Sequence, residues 1–275
     1  MNAISINNLS YKYPDGTVAL NNISLDVKKN IRLALLGANG SGKTTLMLHI
    51  NGLLLPQTGH IDIFDEKISK HNLRRIRSKV GLLFDNPDNQ LFSTTIYDDV
   101  AFGPYNMGLS ETEIDSRVKS ALEMVGLSHL ADRPPHNLSL GQKKKAAIAG
   151  LLSMSLDVFV MDEPFSGLDP ASVTDFLGIL KDLHTNGATT VISTHDVDLA
   201  YGWSDEVAIM NEGEIVAYGD ISILRNKELV DKWNLRLPML SETFMDTKYM
   251  PTTPEDARII VSTLNKQNRL NKQIK

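Results

Sequence analysis

The sequence predicts an α/β fold in which a parallel sheet is covered by helices and joined to an antiparallel β subdomain and a helical insertion. Three observations carry this. Short apolar runs at residues 31–36, 80–84 and 158–162 have the length of buried strands, a helical pattern separates the last from a further strand at 189–194, and residues 2–28 show apolar residues in alternation instead. With 275 residues, 42% hydrophobic and 22% charged, the chain has the profile of a soluble globular protein with a sizeable core.

Taken in order, Ile4, Ile6 and Leu9 alternate with polar neighbours, Asp15-Gly16 marks a turn, and Ile23, Leu25 and Val27 alternate again, as in half-buried strands. Ile31 to Leu36 reads as a buried strand running into Gly37, with a helix from near Gly42. A short strand follows at Ile61 to Phe64, then the basic segment Leu73 to Lys79, read as solvated surface, then a second buried strand at Val80 to Phe84. From Asn86 a Pro/Asn/Asp loop gives way to the amphipathic pattern Ile114, Val118, Ala121, Leu122, Val125 and to the breaker Pro134-Pro135, so a mostly helical subdomain is expected over about 86–155. Strands return at Val158 to Asp162 and Thr189 to Thr194 around a helix from Ala171 to Thr185, the alternation of a parallel sheet. A hairpin is expected over Glu206 to Tyr218. Residues 1–240 read as one domain and 241–275, polar with Pro251, Pro254 and a basic end, as a C-terminal extension whose tail Lys266 to Lys275 is solvated.

The net charge of -5 gives no long-range attraction for nucleic acid or an anionic membrane. With no cysteine, disulfides and thiolate metal sites are excluded, and the seven histidines lack ligand spacing. The N-terminus has no secretion signal, and the nearly apolar stretch Ala146 to Met161 is broken by Ser153, Ser155 and Asp157 and falls short of a membrane span.

Chemistry is concentrated in a few motifs. Gly37-Ala38-Asn39-Gly40-Ser41-Gly42-Lys43-Thr44 matches G-x-x-x-x-G-K-[ST] between a strand and a helix, with Thr45 next in line. Its glycines let backbone N–H groups turn toward phosphates, Lys43 reaches the terminal ones, and the Thr44 hydroxyl can ligate magnesium. Asp162, closing a strand, can hold magnesium through water, and Glu163 beyond it can orient or deprotonate an attacking water. The strand-end Asn-Lys-x-Asp of guanine-binding sites is missing, since Asn226-Lys227-Glu228 is followed by Leu229. Tyr13, in Tyr11-Lys12-Tyr13-Pro14, either packs on the core or stacks on a base. Ser139 and Gln142 form a Ser-x-x-Gln capping box before the helix formers 143–149, so this helix starts sharply and presents free amides to an anion.

With Ser166-Gly167-Leu168-Asp169 and Thr194-His195-Asp196 at their places downstream, the chain resembles, over about residues 3–235, the ABC ATPases, P-loop NTPases with a RecA-like core and an ABC-specific helical insertion. The resemblance implies that Leu138 to Gln142 is the signature sequence, whose Ser139, Gly141 and Gln142 meet the terminal phosphate of ATP held by the opposite subunit of a head-to-tail dimer. It also implies that Asp169 belongs to the D-loop, that His195 is the switch histidine and that Tyr13 is the adenine platform. Two positions depart from the family. Leu140 stands where glycine is usual, and Asp85 replaces the Q-loop glutamine, keeping an oxygen for magnesium beside Thr44 and Asp162 but losing the amide donor; altered magnesium dependence is expected, and Gln90 is too far along to be assumed a substitute.

Phe84-Asp85-Asn86-Pro87-Asp88-Asn89-Gln90-Leu91-Phe92, Asp98 to Pro104 and Gly141 to Gly150 are similar to the ATPase subunits of energy-coupling-factor importers, especially the cobalt/nickel branch. That implies an ATPase using ATP and Mg2+, peripheral on the cytoplasmic face of the cell membrane. Its partners would be a second ATPase subunit (the same chain or a related paralogue), a transmembrane coupling subunit and a substrate-capture membrane subunit, with no nucleic acid. The alternatives are a vitamin importer of the same type or a soluble non-transport ABC ATPase, the latter opposed by the single phosphate loop and the short insertion.

Overall fold

The alternation of residues 2–28 becomes two strands, β1 (Asn2–Lys12) and β2 (Val18–Lys28), paired antiparallel with Ile6 opposite Leu25. The apolar run that follows forms β3 (Arg32–Leu36), which leaves them for a second sheet and ends at the glycine loop that opens α1 (Lys43–Ile50). The chain then returns through β4 (Thr58–Ile63) and β5 (Glu66–Lys67), giving a four-stranded antiparallel sheet in the order β2-β1-β4-β5. The computed structural model describes residues 1–273, and side chains as far as residue 265.

The basic segment 73–79 departs from its reading as plain surface. It winds into α2 (Leu73–Arg77) because Ile76 is buried, and the charges are tied down: Arg77 donates to the Gly52 carbonyl, while Arg75 and Lys79 both pair with Glu66. Next comes β6 (Val80–Leu83), then the insertion, which holds α3 (Ile96–Met107), α4 (Glu111–Met124) and α5 (Leu140–Leu152). α3 was not visible as a separate helix, because Gly103 and Pro104 interrupt its propensity. Thr95 caps it, and its buried Ile96 and Val100 pack with Val118, Leu122 and Ile148 in one apolar cluster.

The remaining strands are β7 (Val158–Met161), β8 (Thr189–Thr194), β9 (Glu206–Asn211) and β10 (Glu214–Asp220), in a six-stranded sheet ordered β10-β9-β3-β8-β7-β6. All its pairs are parallel except the edge pair β9–β10. Strands β3, β7 and β8 are buried nearly throughout because both faces are covered. One face packs on the antiparallel sheet and α1 through Leu33, Leu35, Val158 and Val160, the other on the insertion and on α6 (Pro170–Thr185) through Phe159, Met161 and Ile192. β3 lies between β8 and β9, with β7 beyond β8, so the loops after β3, β7 and β8 open on the same edge.

After β8 come α7 (Val197–Trp203), α8 (Lys227–Lys232), α9 (Met239–Thr243) and α10 (Pro254–Gln273). The segment beyond 235 is tied to α7. Asp198 accepts from the backbone of Met239 and pairs with Arg236 at 2.6 Å, and Leu240 packs on the cluster that holds Tyr201. Of the basic tail, residues 274–275 and the side chains from 266 onward lie outside the described residues. No helix of the described residues is long and apolar enough to cross a membrane.

Candidate nucleotide site

The loop after β3 is shaped by what its glycines must avoid. A Cβ on Gly37 would fall 2.3 Å from the Met210 carbonyl oxygen and one on Gly42 2.5 Å from that of Ala19, with φ of 152° and 104° respectively. Gly42 is the N-cap of α1 and supplies no side-chain hydrogen bond, so the first amides of the helix have no side-chain partner. The Ser41 hydroxyl is buried with no hydrogen-bond partner among the described residues, and Asn39 and Gly40 are exposed at the rim. A cradle of backbone donors at a helix N-terminus fits the phosphates of a nucleotide.

Lys43 is 6% exposed, and its ammonium donates to the carbonyls of Gly37 (2.7 Å) and Ala38 (3.1 Å). Burial pushes its pKa below the usual lysine value, opposed by the charges of Glu163 and Asp162. Thr44 donates to Asp162 Oδ2 at 2.6 Å, and Ser193 donates to Asp162 Oδ1 at 2.5 Å. Hydroxyl and carboxylate thus stand as a hard oxygen pair at the mouth of the loop, the donor set that suits magnesium. Tyr13 shares a hydrogen bond of 3.1 Å with Thr45 and meets Tyr11 edge to face, which leaves the half-buried ring beside the first turn of α1.

Glu163 follows β7 with φ of 41°, a left-handed conformation uncommon for a non-glycine residue. Its N–H donates to Ser193 Oγ at 2.8 Å, and its carboxylate lies 3.1 and 3.2 Å from His195 Nδ1. One serine therefore orders both acids: it donates to Asp162 and accepts from the backbone of Glu163. Ser193 was missed in the sequence, although a serine in the buried strand β8, paired in register with Leu35 of β3, is the sign that could have found it.

The signature region is built separately. Ser139 caps α5 by accepting from the Gln142 N–H, while Gln142 Oε1 accepts from the Ser139 N–H, so the capping box is present in full. Gly141 packs against Ser172, and Asp169 caps α6 by accepting from Ser172 N–H and Oγ; these bonds hold its carboxyl below the usual range. Leu140 is 42% exposed and leans over Gly167. Among the described residues no hydrogen bond or ion pair joins Ser139, Gly141 or Gln142 to residues 37–44. Asp85 is exposed at the end of β6, and its ion pair is with Lys144, at 4.0 Å; Gln90 accepts from the Phe84 N–H and donates to the Ala147 carbonyl, anchoring this loop to α5.

The comparisons agree with this geometry. The ABC transporter family matches residues 20–166. An energy-coupling factor transporter ATP-binding protein of Carboxydothermus hydrogenoformans is 47% identical over 94% of this chain and 97% of its own, and one from Methanosphaera stadtmanae is 49% identical over 86% of each. Among solved structures, cbiO1 of Clostridium perfringens, part of the cbiONQ ABC transporter complex, superposes with a TM-score of 0.75 at 41% identity, covering 89% of this chain and 99% of that one. A dimeric ATP-binding cassette bound to ADP and phosphate gives 0.73 at 26% identity, covering 79% and 98%. The loop, the paired acids and the capped helix define an ABC-type ATPase that uses ATP and Mg2+. Within the ABC transporter family, this chain belongs to the ATP-binding subunits of energy-coupling-factor transporters.

Proposed function

We propose that the chain, with residues 1–240 as the cassette and 241–275 as an extension, hydrolyses ATP at the cytoplasmic face of the cell membrane to drive an importer for cobalt or nickel ions. It would act there with a second ATPase subunit, a transmembrane coupling subunit and a substrate-capture membrane subunit. The observation that supports hydrolysis is the pairing of Glu163 with His195 beside Thr44 and Asp162. The likeness to cbiO1 supports the metal cargo, and the overall charge of -5 gives no footing for nucleic acid.

In this reading the amides of residues 40–44 and the Lys43 ammonium hold the phosphates, and Tyr13 supports the adenine. Thr44, Asp162 and Asp85 would hold Mg2+, which would supply positive charge to the terminal phosphates. Glu163 accepts a proton from the attacking water at its carboxylate, and His195, hydrogen-bonded to that carboxylate, sets its orientation. Ser139, Gly141, Gln142 and Asp169 serve the site of the opposite subunit.

Isolating the complex from membranes and identifying its chains tests the cargo. Co-purification with a membrane subunit that binds Co2+ or Ni2+ is the expected result, and a vitamin-binding subunit in its place overturns it.

A further inference from the structure

Among the described residues Lys144 is the largest charged side chain fully enclosed in the core, 1% exposed on α5. It falls on the buried stripe of that helix with Ala147, Ile148 and Leu151, while its neighbours Lys143 and Lys145 reach the surface and pair with Asp88 and Asp175. An ammonium has three N–H donors. Two go to the carbonyls of Glu163 and Ser166, each at 2.9 Å, and Asp85 Oδ1 stands 4.0 Å away on the third element of this junction. Burial pushes the ammonium below the usual lysine value, and Asp85, then Glu163 and Asp162, oppose the shift. A cation enclosed this way is costly unless its donors are used.

We propose that Lys144 is a positioning residue for hydrolysis: it clamps the turn from Glu163 to Ser166 onto the signature helix and balances the carboxylate of Asp85. Three carboxylates, Asp85, Asp162 and Glu163, surround this junction, and Lys43 is committed to the phosphate loop. Lys144 supplies the second positive charge. Because the backbone of Glu163 already holds a φ of 41°, the two carbonyl bonds fix a conformation the residue does not prefer by itself. The same bonds make α5, which carries the Ser139 cap, and the catalytic turn move as one body.

This rests on the ATPase reading, so two readouts are used. In ATP turnover, Lys144→Met should lower kcat about thirtyfold while the KM for ATP stays within about threefold, because the turn is misplaced without touching the phosphate cradle. A kcat within threefold of wild type overturns the clamp. Lys144→Gln should lower kcat about tenfold in the wild-type background but less than about threefold when Asp85→Gln is also present, since the charge to be balanced is then gone. Equal losses in both backgrounds overturn the pairing with Asp85. Nucleotide-free melting temperatures keep the two questions apart. Lys144→Gln should lower Tm by about 4 °C or more in the wild type and by at least about 2 °C less beside Asp85→Gln. That coupling is measurable even if the wild-type chain turns over no ATP, which would sink the ATPase reading alone; its absence sinks the Lys144 proposal. If Lys144→Met does not fold, Lys144→Gln carries the kcat comparison.

Discussion

The edge of the parallel sheet and the tip of the helical insertion both carry parts of the proposed ATP site, but they are finished to different degrees. At the sheet edge every part meets another: Thr44 and Ser193 converge on Asp162, Ser193 and His195 converge on Glu163, and Lys43 folds back into its loop. At the tip, Ser139 and Gln142 satisfy each other and stand at the surface, joined to the phosphate loop by no hydrogen bond among the described residues. A helix N-terminus is an anion site, and in the proposed reading this one meets an anion held by another chain. ABC cassettes work as dimers, as in the solved cassette bound to ADP and phosphate.

That contrast predicts different phenotypes for the two regions. The largest effect belongs to the sheet edge: Glu163→Gln should lower kcat by about 10³-fold while ATP binding, read by equilibrium titration, stays within a few fold. An unchanged kcat removes the base assignment. Lys43→Met should act on binding as well, weakening ATP affinity by about 10²-fold, because a charge-assisted contact to phosphate is lost. At the tip, Ser139→Val should leave nucleotide binding to the isolated chain within about twofold and lower turnover by tenfold or more; it also removes the cap of α5, at about 1 kcal/mol in unfolding experiments. A loss of ATP affinity matching that of Lys43→Met would erase the distinction between the regions.

The smallest effect lies far from both. Arg32 donates to Asp205 from its side chain at 2.6 Å and from its backbone at 2.9 Å. Burial pushes the Asp205 carboxyl up, but the hydrogen bonds and charge of Arg32 outweigh it and hold it below 3.8. A depressed carboxylate stabilises the fold above the unfolded value and loses that contribution as pH falls through the folded one. Asp205→Asn should therefore cost about 1 kcal/mol at pH 7, a modest figure for a partly exposed pair, and the gap to wild type should close in acid below pH 3.8. A gap independent of pH would remove the charge contribution.

How far the sequence could be read follows the same division between local and distant causes. Strands β7 and β8, helix α6 and the Ser139 capping box are legible because each is a local pattern of period or capping. The phosphate loop is legible because its glycines are spaced for one backbone shape. α3 hides behind Gly103 and Pro104, whose propensity is overruled by contacts with α4 and α5 that no local window contains. Lys144 hides in a run of three lysines. Its burial depends on helical phase, and the stripe shared with Ala147, Ile148 and Leu151 was the available clue. Asp85 shows the same limit: its place beside the Lys144 ammonium follows from how the loop after β6 meets α5, which no local window contains.

The central claim, that two half-sites of different chains close on one nucleotide, is tested most directly by sedimentation of the Glu163→Gln chain. With saturating ATP and Mg2+ it should sediment as a dimer, without nucleotide as a monomer, and with Ser139→Asp added it should stay a monomer even with ATP. A Glu163→Gln chain that binds ATP yet remains monomeric, or a dimer indifferent to Ser139→Asp, would contradict it.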